Sequence, residues 1–479
     1  MITYPIVKLT LSSQVIEFSK TDVIEARILQ EISPTSSELP VSEATIRIRT
    51  TDPRFLPFSD GEFYNELSNN TIVDVFEYYD AETPDFVPIE RLVGRFYLKE
   101  WKNPKEGEFE FVCQDAIGVL DTLQFDGNFW ETNISLGEML SIILDPVDIG
   151  YSIAPEISGR LLKGYLTAGT VREALKQVLF AGRAFALTAL SDKILIKDAV
   201  LPVPGINDSP AFYSVPFYGA CFYESDAEYI GEIPMEEQIM GQELNLKPLV
   251  TEIRLVSHDF TKGDVQEVIY SAYLEPGSYK IVYSKPYYDV TAEGAGAIPA
   301  YLMTEDIRAI STEDGRILYF SGGFVYGVNY IYLEVITAGN VIVRGYPYID
   351  SSQEFIYNES EATKEFSHGI YYGAGTYGVD IYAKYWAVTA APNIWKISDA
   401  MLVSTENASV ILDSLTKFAK LRYLQNTTLF PPMELLPGDV VKSETLYEKL
   451  LNGIIVRIER DLTTGSLSKT ELLGVERME

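Results

Sequence analysis

The segment Leu451 to Gly474 reads LNGIIVRIERDLTTGSLSKTELLG, in which Gly453, Gly465 and Gly474 are separated by 12 and then 9 residues. A leucine, an asparagine and a glycine open it, the chain continues in period-two alternation, turns through an Asp/Thr/Gly loop and returns alternating. This is the pattern of a long β-hairpin with one buried face. A second stretch, Leu92 to Gly118, reads LVGRFYLKEWKNPKEGEFEFVCQDAIG, with Gly94, Gly107 and Gly118 separated by 13 and then 11. Chance likeness between two hairpins is the plain alternative, but the echo predicts two copies of one small β-module in a single chain. Three such chains would present six similar modules about an axis, a way of joining a sixfold tube to a threefold part.

At 479 residues the chain is too long for one core and calls for several domains. The 32 Tyr against 4 Trp tilt the composition toward strands. Lys and Arg total 38 against 69 Asp and Glu, a formal charge of −31. Such a field repels phosphate backbones and argues against DNA or RNA binding over most of the surface. It suits a soluble surface, or the wall of a channel along which DNA slides without sticking. Cys113 and Cys221 are far apart, so no disulfide framework is indicated. The N-terminus lacks the basic start and small-residue cleavage site of a secretory signal, and VLFAGRAFALTAL is interrupted by Arg183, so neither export nor a transmembrane anchor is expected.

Residues 1–125 read as strands, with Ala44–Thr50 and Ile72–Tyr79 alternating well and a short helix near Gln114–Leu123 carrying Ile117 and Leu120 on one face. The period changes over 126–200. Ser135-Leu-Gly-Glu138 and Thr170-Val-Arg-Glu173 are capping boxes opening helices over Leu136–Leu144 and Val171–Phe180. A hairpin around Ser191-Asp192-Lys193 follows, completing a small α/β domain. Pro202, Pro204, Gly205 and Pro210 mark a linker. A β-rich stretch holds 19 of the 32 Tyr between Tyr270 and Tyr385, and its Asp314-Gly315 pair is a hairpin signal; it reads as an insertion over 261–390. After the cap candidates Ser404-Thr405, helical spacing returns, with Val410, Ile411, Leu415, Phe418 and Leu421 along one face, until Phe430-Pro431-Pro432 enforces extended chain.

Sites for chemistry are scarce. His258 and His368, the only histidines, have no partner at metal-ligand spacing and read as surface residues. Gly373-Ala-Gly375-Thr-Tyr-Gly378 matches G-x-G-x-x-G, but Val379–Trp386 after it alternates as a strand where a dinucleotide site needs a helix, so it reads as a β-turn. Paired carboxylates are too abundant to single out, though clustered Tyr faces and acids keep open a glycan-binding module or a carboxylate-dependent glycosidase over the Tyr-rich segment. No residue is nominated as catalytic, cofactor-binding or metal-binding, and the chain is not expected to be an enzyme.

The stretch Val403 to Gly474, with its helix after Ser404-Thr405-Glu406-Asn407-Ala408, then Phe430-Pro431-Pro432-Met433-Glu434, Leu436-Pro437-Gly438-Asp439-Val440-Val441 and the final hairpin, resembles the C-terminal part of hub proteins of phage tails and contractile injection baseplates. The Gly94-Arg-Phe-Tyr97 hairpin and the helix and hairpin of Gly169–Lys197 resemble earlier parts of the same proteins. The resemblance implies a homotrimer whose two tube-like modules per chain form a pseudo-sixfold ring. A tail tube or distal tail protein would lie on one side and a spike, fibre or tape-measure protein on the other, with DNA only as passing cargo and no membrane anchor. It implies a place in a virion tail assembled in the host cytoplasm, and no peptidoglycan-cleaving or spike extension, since the final hairpin closes near Glu479. The expected fold is mainly β with α+β parts and multidomain: two similar β-barrel-like modules (1–125; 201–260 with 391–479), a small α/β domain (126–200) and a Tyr-rich β insertion (261–390).

Overall fold

The structure, a computed structural model, describes residues 2–12, 14–55, 62–64, 66–67, 70–80, 89–199, 231–294, 297–299, 327–335, 338–358, 393–429, 435–447, 449–463 and 467–476. The Asp314-Gly315 pair, the Gly373–Gly378 turn, His368, Cys221, the Pro202–Pro210 stretch and Phe430–Pro432 lie outside these residues.

The fold is mainly β and multidomain, built on one curled 13-stranded sheet. Its first strands are β1 (Ile2–Thr10), β2 (Val15–Phe18), β3 (Val23–Glu31), β4 (Glu43–Arg49), β5 (Ile72–Asp80), β6 (Ile89–Lys105) and β7 (Glu108–Gln114). The rest come from far along the chain: β8 (Gly231–Ile233), β9 (Gln238–Leu246) and, after the intervening β10 (Glu252–Lys262), β11 (Gly339–Asn358) and β12 (Ile394–Ile397), the strands β13 (Tyr423–Leu429), β14 (Val440–Glu444), β15 (Leu450–Asp461) and β16 (Leu467–Glu476). The sheet runs β9-β13-β16-β15-β3-β4-β7-β6-β5-β1-β2, with β14 on β15 and β8 on β14.

That order contains one antiparallel pattern twice. In the first half it is β3-β4-β7-β6-β5; in the second it is β9-β13-β16-β15-β14. A sixth strand flanks each, but β1 lies antiparallel to β5 whereas β8 lies parallel to β14. Both long hairpins carry a bulge at the same place, between Leu98 and Glu100 and between Ile455 and Arg457. Matching these bulges sets Tyr97 against Ile454, so Gly453 falls at Phe96, not at Gly94. The glycine spacings that suggest the repeat are therefore two residues out of register with the bulges.

Alternation explains which face is buried. In the first half Ala44, Ile46, Ile48, Phe109, Phe111 and Cys113 point into one core with Val7, Leu9, Val73, Val75 and Phe96. Burial pushes the Cys113 thiol up, away from the thiolate form. In the second half Ile455, Ile458, Leu472, Leu429 and Val441 form the matching core.

The capping boxes form as their spacing predicts. Ser135 Oγ accepts from Glu138 N and Thr170 Oγ1 from Glu173 N, opening α1 (Leu136–Leu144) and α2 (Val171–Gly182). These pack on a small sheet in which Ala184–Leu187 and Ile194–Asp198 form the expected hairpin and Tyr151–Ile153 adds in parallel. The turn at Ala116–Val119 buries Ile117 and Leu120 as its pattern predicts. The last helix, α3 (Ala408–Ala419), buries Ile411 and Leu415, but Val410 is exposed and Leu421 lies beyond the helix end. Its N-cap is Asn407, not Ser404 or Thr405; Asn407 Oδ1 accepts from Ser404 N at 2.8 Å.

The Tyr-rich stretch centres on the long β11, which pairs antiparallel with β10, with Glu267–Leu274 and with Tyr287–Gly294, while β12 runs parallel to β10. Tyr283 and Tyr287 are core residues there, packed edge to face at 5.4 Å.

Candidate assembly interface

The place where the two sheet halves join is built from opposite ends of the chain. The C-terminal half of β15 lies antiparallel to the end of β3, with Arg457 opposite Glu31, Ile458 opposite Gln30 and Asp461 opposite Arg27. The backbone ladder extends one step past each end, through Ile32 N to Val456 O at 2.9 Å and Leu462 N to Ala26 O at 3.0 Å. Strand β15 reaches β3 because it changes neighbour along its length. Residues 450–454 pair with β14, and past the Ile455/Arg457 bulge residues 457–461 pair with β3. Bulges re-aim a strand in this way.

Beneath the joint, Ile458 and Gln30 are each only 1% exposed. The Gln30 amide donates to Val93 O, and buried Arg460 donates to Leu435 O at 2.7 Å. Above it, the sheet's other face is charged. Arg47 bridges Glu25 at 3.4 Å and Glu110 at 3.0 Å, Glu108 receives Lys105 at 2.8 Å, and the second half carries Glu243, Arg457, Glu459, Lys469 and Glu471 along one groove. The hydrogen-bonded ion pair with Lys105 holds the Glu108 carboxyl below its usual range, against the opposing effect of desolvation.

The segment before β14 explains the Leu436-Pro437-Gly438-Asp439 motif. Gly438 sits at φ +96°, its N–H donates to Ile455 O at 2.8 Å, and a Cβ there would meet the Phe185 ring. Asp439 Oδ2 accepts from Leu436 N at 2.8 Å, and burial raises its carboxyl pKa. The motif is a tight turn that seats the small α/β domain against the second sheet half, with Phe185, Leu187, Ile32 and Ile454 in one cluster. A comparable tie holds the first half: Asp115, fully buried, accepts from Ser42 N, Thr188 Oγ1 and Gly118 N.

His258 is not the surface residue its sequence context suggests. It is 5% exposed, with Nδ1 2.7 Å from Asp350 Oδ2 and Nε2 3.2 Å from Ser398 O. Both ring nitrogens are occupied by acceptors from β11 and from the chain after β12, so the ring ties these segments together. Sequence reading missed this because Asp350 is remote in the chain and nothing local announces it. Among the described residues no cluster of three or more His, Cys, Asp or Glu is placed to hold a metal ion. No described helix is long and apolar enough to cross a membrane.

Neither a protein-family profile nor any curated protein matches the sequence. Its neighbours among solved structures include tail proteins. A tail protein from Neisseria meningitidis MC58 aligns over 98% of this chain and 96% of its own, at 8% identity and a TM-score of 0.47. The 43 kDa tail protein of prophage MuSo2 from Shewanella oneidensis aligns over 98% of both chains, at 8% identity and TM-score 0.45. Prophage tail protein gp18 from Listeria monocytogenes EGD-e covers 98% of this chain and 94% of its own, at 9% identity and TM-score 0.44.

Proposed function

We propose that this chain is a structural hub subunit of a phage tail or tail-like particle, acting without catalysis. Three copies would close a ring that adapts a sixfold tube to a threefold spike or tip and lines the central channel. One observation carries the reading: a five-strand antiparallel pattern occurs twice in one chain, and the two occurrences are joined edge to edge through β15 and β3. A chain with two like modules joined at a fixed angle halves the number of subunits needed to match a sixfold neighbour, and closed rings arise when such an angle repeats to completion. The modules would be 1–125 and 201–260 with 391–479, the small α/β domain and the Tyr-rich insertion being outer attachments. The polar face, with its crossed ion pairs and net negative chain charge, suits a channel wall past which DNA moves.

Negative-stain microscopy with mass determination on the recombinant chain tests this. A threefold ring with a central hole, near three times 53.7 kDa, is expected. A ring built from six copies would overturn the threefold adaptor.

A further inference from the structure

The joint inside the chain is a template for a joint between chains. If β15 corresponds to β6 through their shared bulge, the stretch of β15 that pairs with β3 corresponds to residues 100–104 of β6. That stretch has β7 on one side only. The counterpart of β3 is β9, which has β13 on one side only. Among the described residues both remaining edges are without a partner strand. Such edges are templates for pairing with another chain.

We propose that the free edge of β9 pairs antiparallel with the 100–104 edge of β6 in a second copy of this chain. The correspondence fixes the register. Through β4 and β13, Leu29 matches Asn245 and Ile28 matches Leu244. Transferring the β15–β3 pairs then sets Glu100 against Lys247 of the neighbouring copy, Trp101 against its Leu246, and Lys102 against its Asn245.

Three features of the two edges agree with this register. First, Arg457 opposite Glu31 becomes Glu100 opposite Lys247, the signs exchanged but still complementary. Second, the buried pair Ile458 and Gln30 becomes Trp101 and Leu246. Leu246 is 57% exposed in the single chain and Trp101 is half-buried against the first-half core, so the contact would cover an otherwise unexplained apolar side chain. Third, Lys247 N donates to Arg422 O on the β13 side. By antiparallel alternation this turns the backbone groups of Leu246 and Leu244 outward, as the ladder to Trp101 and Asn103 requires. Pro248 stands where Ile32 donates in the internal joint, so the new ladder ends at Leu246. The contact is heterologous, one edge meeting a different edge, and repeats around a ring.

The inference rests on the ring reading, and the test separates their failures. Full-length E100C and K247C chains are mixed and oxidised, with E100C and L246C as the out-of-register control. Glu100 and Lys247 would occupy a non-hydrogen-bonded pair, where facing side chains are closest. A cross-linked dimer is expected from E100C with K247C and not from the control or from either variant alone. L246D is expected to elute as a monomer that keeps the far-ultraviolet circular dichroism of the folded chain and loses only the part of the thermal midpoint that assembly adds. A ring that forms without the E100C–K247C cross-link, or that survives L246D, overturns this pairing and leaves the ring reading standing. A chain that stays monomeric and never cross-links overturns both.

Discussion

Asp115 is a single residue on which two parts of the molecule meet. Its carboxylate accepts three hydrogen bonds, from Ser42 N, Gly118 N and Thr188 Oγ1, and burial raises its pKa despite them. Asp115→Asn would turn an amide N–H₂ toward at least one of these donors, and the expected loss is about 1–3 kcal/mol, the cost of an unsatisfied buried group. A raised folded pKa means the native state keeps a proton that the unfolded chain releases. The group's contribution is therefore greatest below its ordinary value of 3.8 and is lost as pH rises through the folded value. The penalty of Asp115→Asn should accordingly shrink as pH rises above 3.8, measured as the gap between the two urea midpoints; a gap that widens would contradict the burial argument. Gly438 is the other sharp case. An alanine there meets both a positive φ and the Phe185 ring, so Gly438→Ala is expected to cost about 2–4 kcal/mol in the same measurement. Neither cost is readable from the sequence. Asp115 looks like any acid before a short helix, and Gly438 like any glycine after a proline, until Thr188 and Phe185 fold over them.

At the scale of elements, what the sequence discloses is what is local. Both capping boxes form because every partner lies within one helical turn, and Thr170→Ala is expected to lower the thermal midpoint by an amount equivalent to about 1 kcal/mol. An unchanged midpoint would mean that packing of α2 against its core, not the cap, fixes where the helix starts. The two long hairpins are also legible, since alternation and a turn suffice. Their true correspondence is not, because it is carried by a bulge, and a bulge is a relation between two strands with no signature in either alone. The same reason hides the joint. The pairs Arg457–Glu31 and Asp461–Arg27 bring the two ends of the chain together, and no periodicity within β3 or β15 states which strand lies beside it. Val410 illustrates the converse error: helical spacing puts it on the apolar face, yet it is 45% exposed, because α3 packs through Ile411 and Leu415 on β10 and leaves that flank open.

For the whole molecule, the decisive quantity is charge. Three copies would carry three times −31, or −93. The described polar face is not uniformly acidic: Arg47, Arg49 and Lys105 interleave with Glu25, Glu108 and Glu110 across the first half, and Lys469 and Arg457 with Glu459 and Glu471 across the second. Surface pairs of this kind contribute little stability. Their effect here is to cancel one another's fields at short range, so that these described residues form no basic stripe to track a phosphate backbone, while the net excess of acid repels DNA at longer range. A wall that conducts DNA needs this combination, since each phosphate neutralised by a free Lys or Arg would add a counterion-release term to binding. The assembled chain is therefore expected to retain no double-stranded DNA on a filter at physiological salt, and to stay free of it as salt is lowered. Neutralising the acids of the face, with Glu25, Glu108 and Glu110 all changed to Gln, should release Arg47, Arg49 and Lys105 from their partners and produce measurable, salt-sensitive retention. Retention by the unmodified protein would remove the channel-wall reading, whatever ring it forms. Absence of retention by the triple variant would show that net charge alone sets the repulsion and that the interleaved pairs have no part in it.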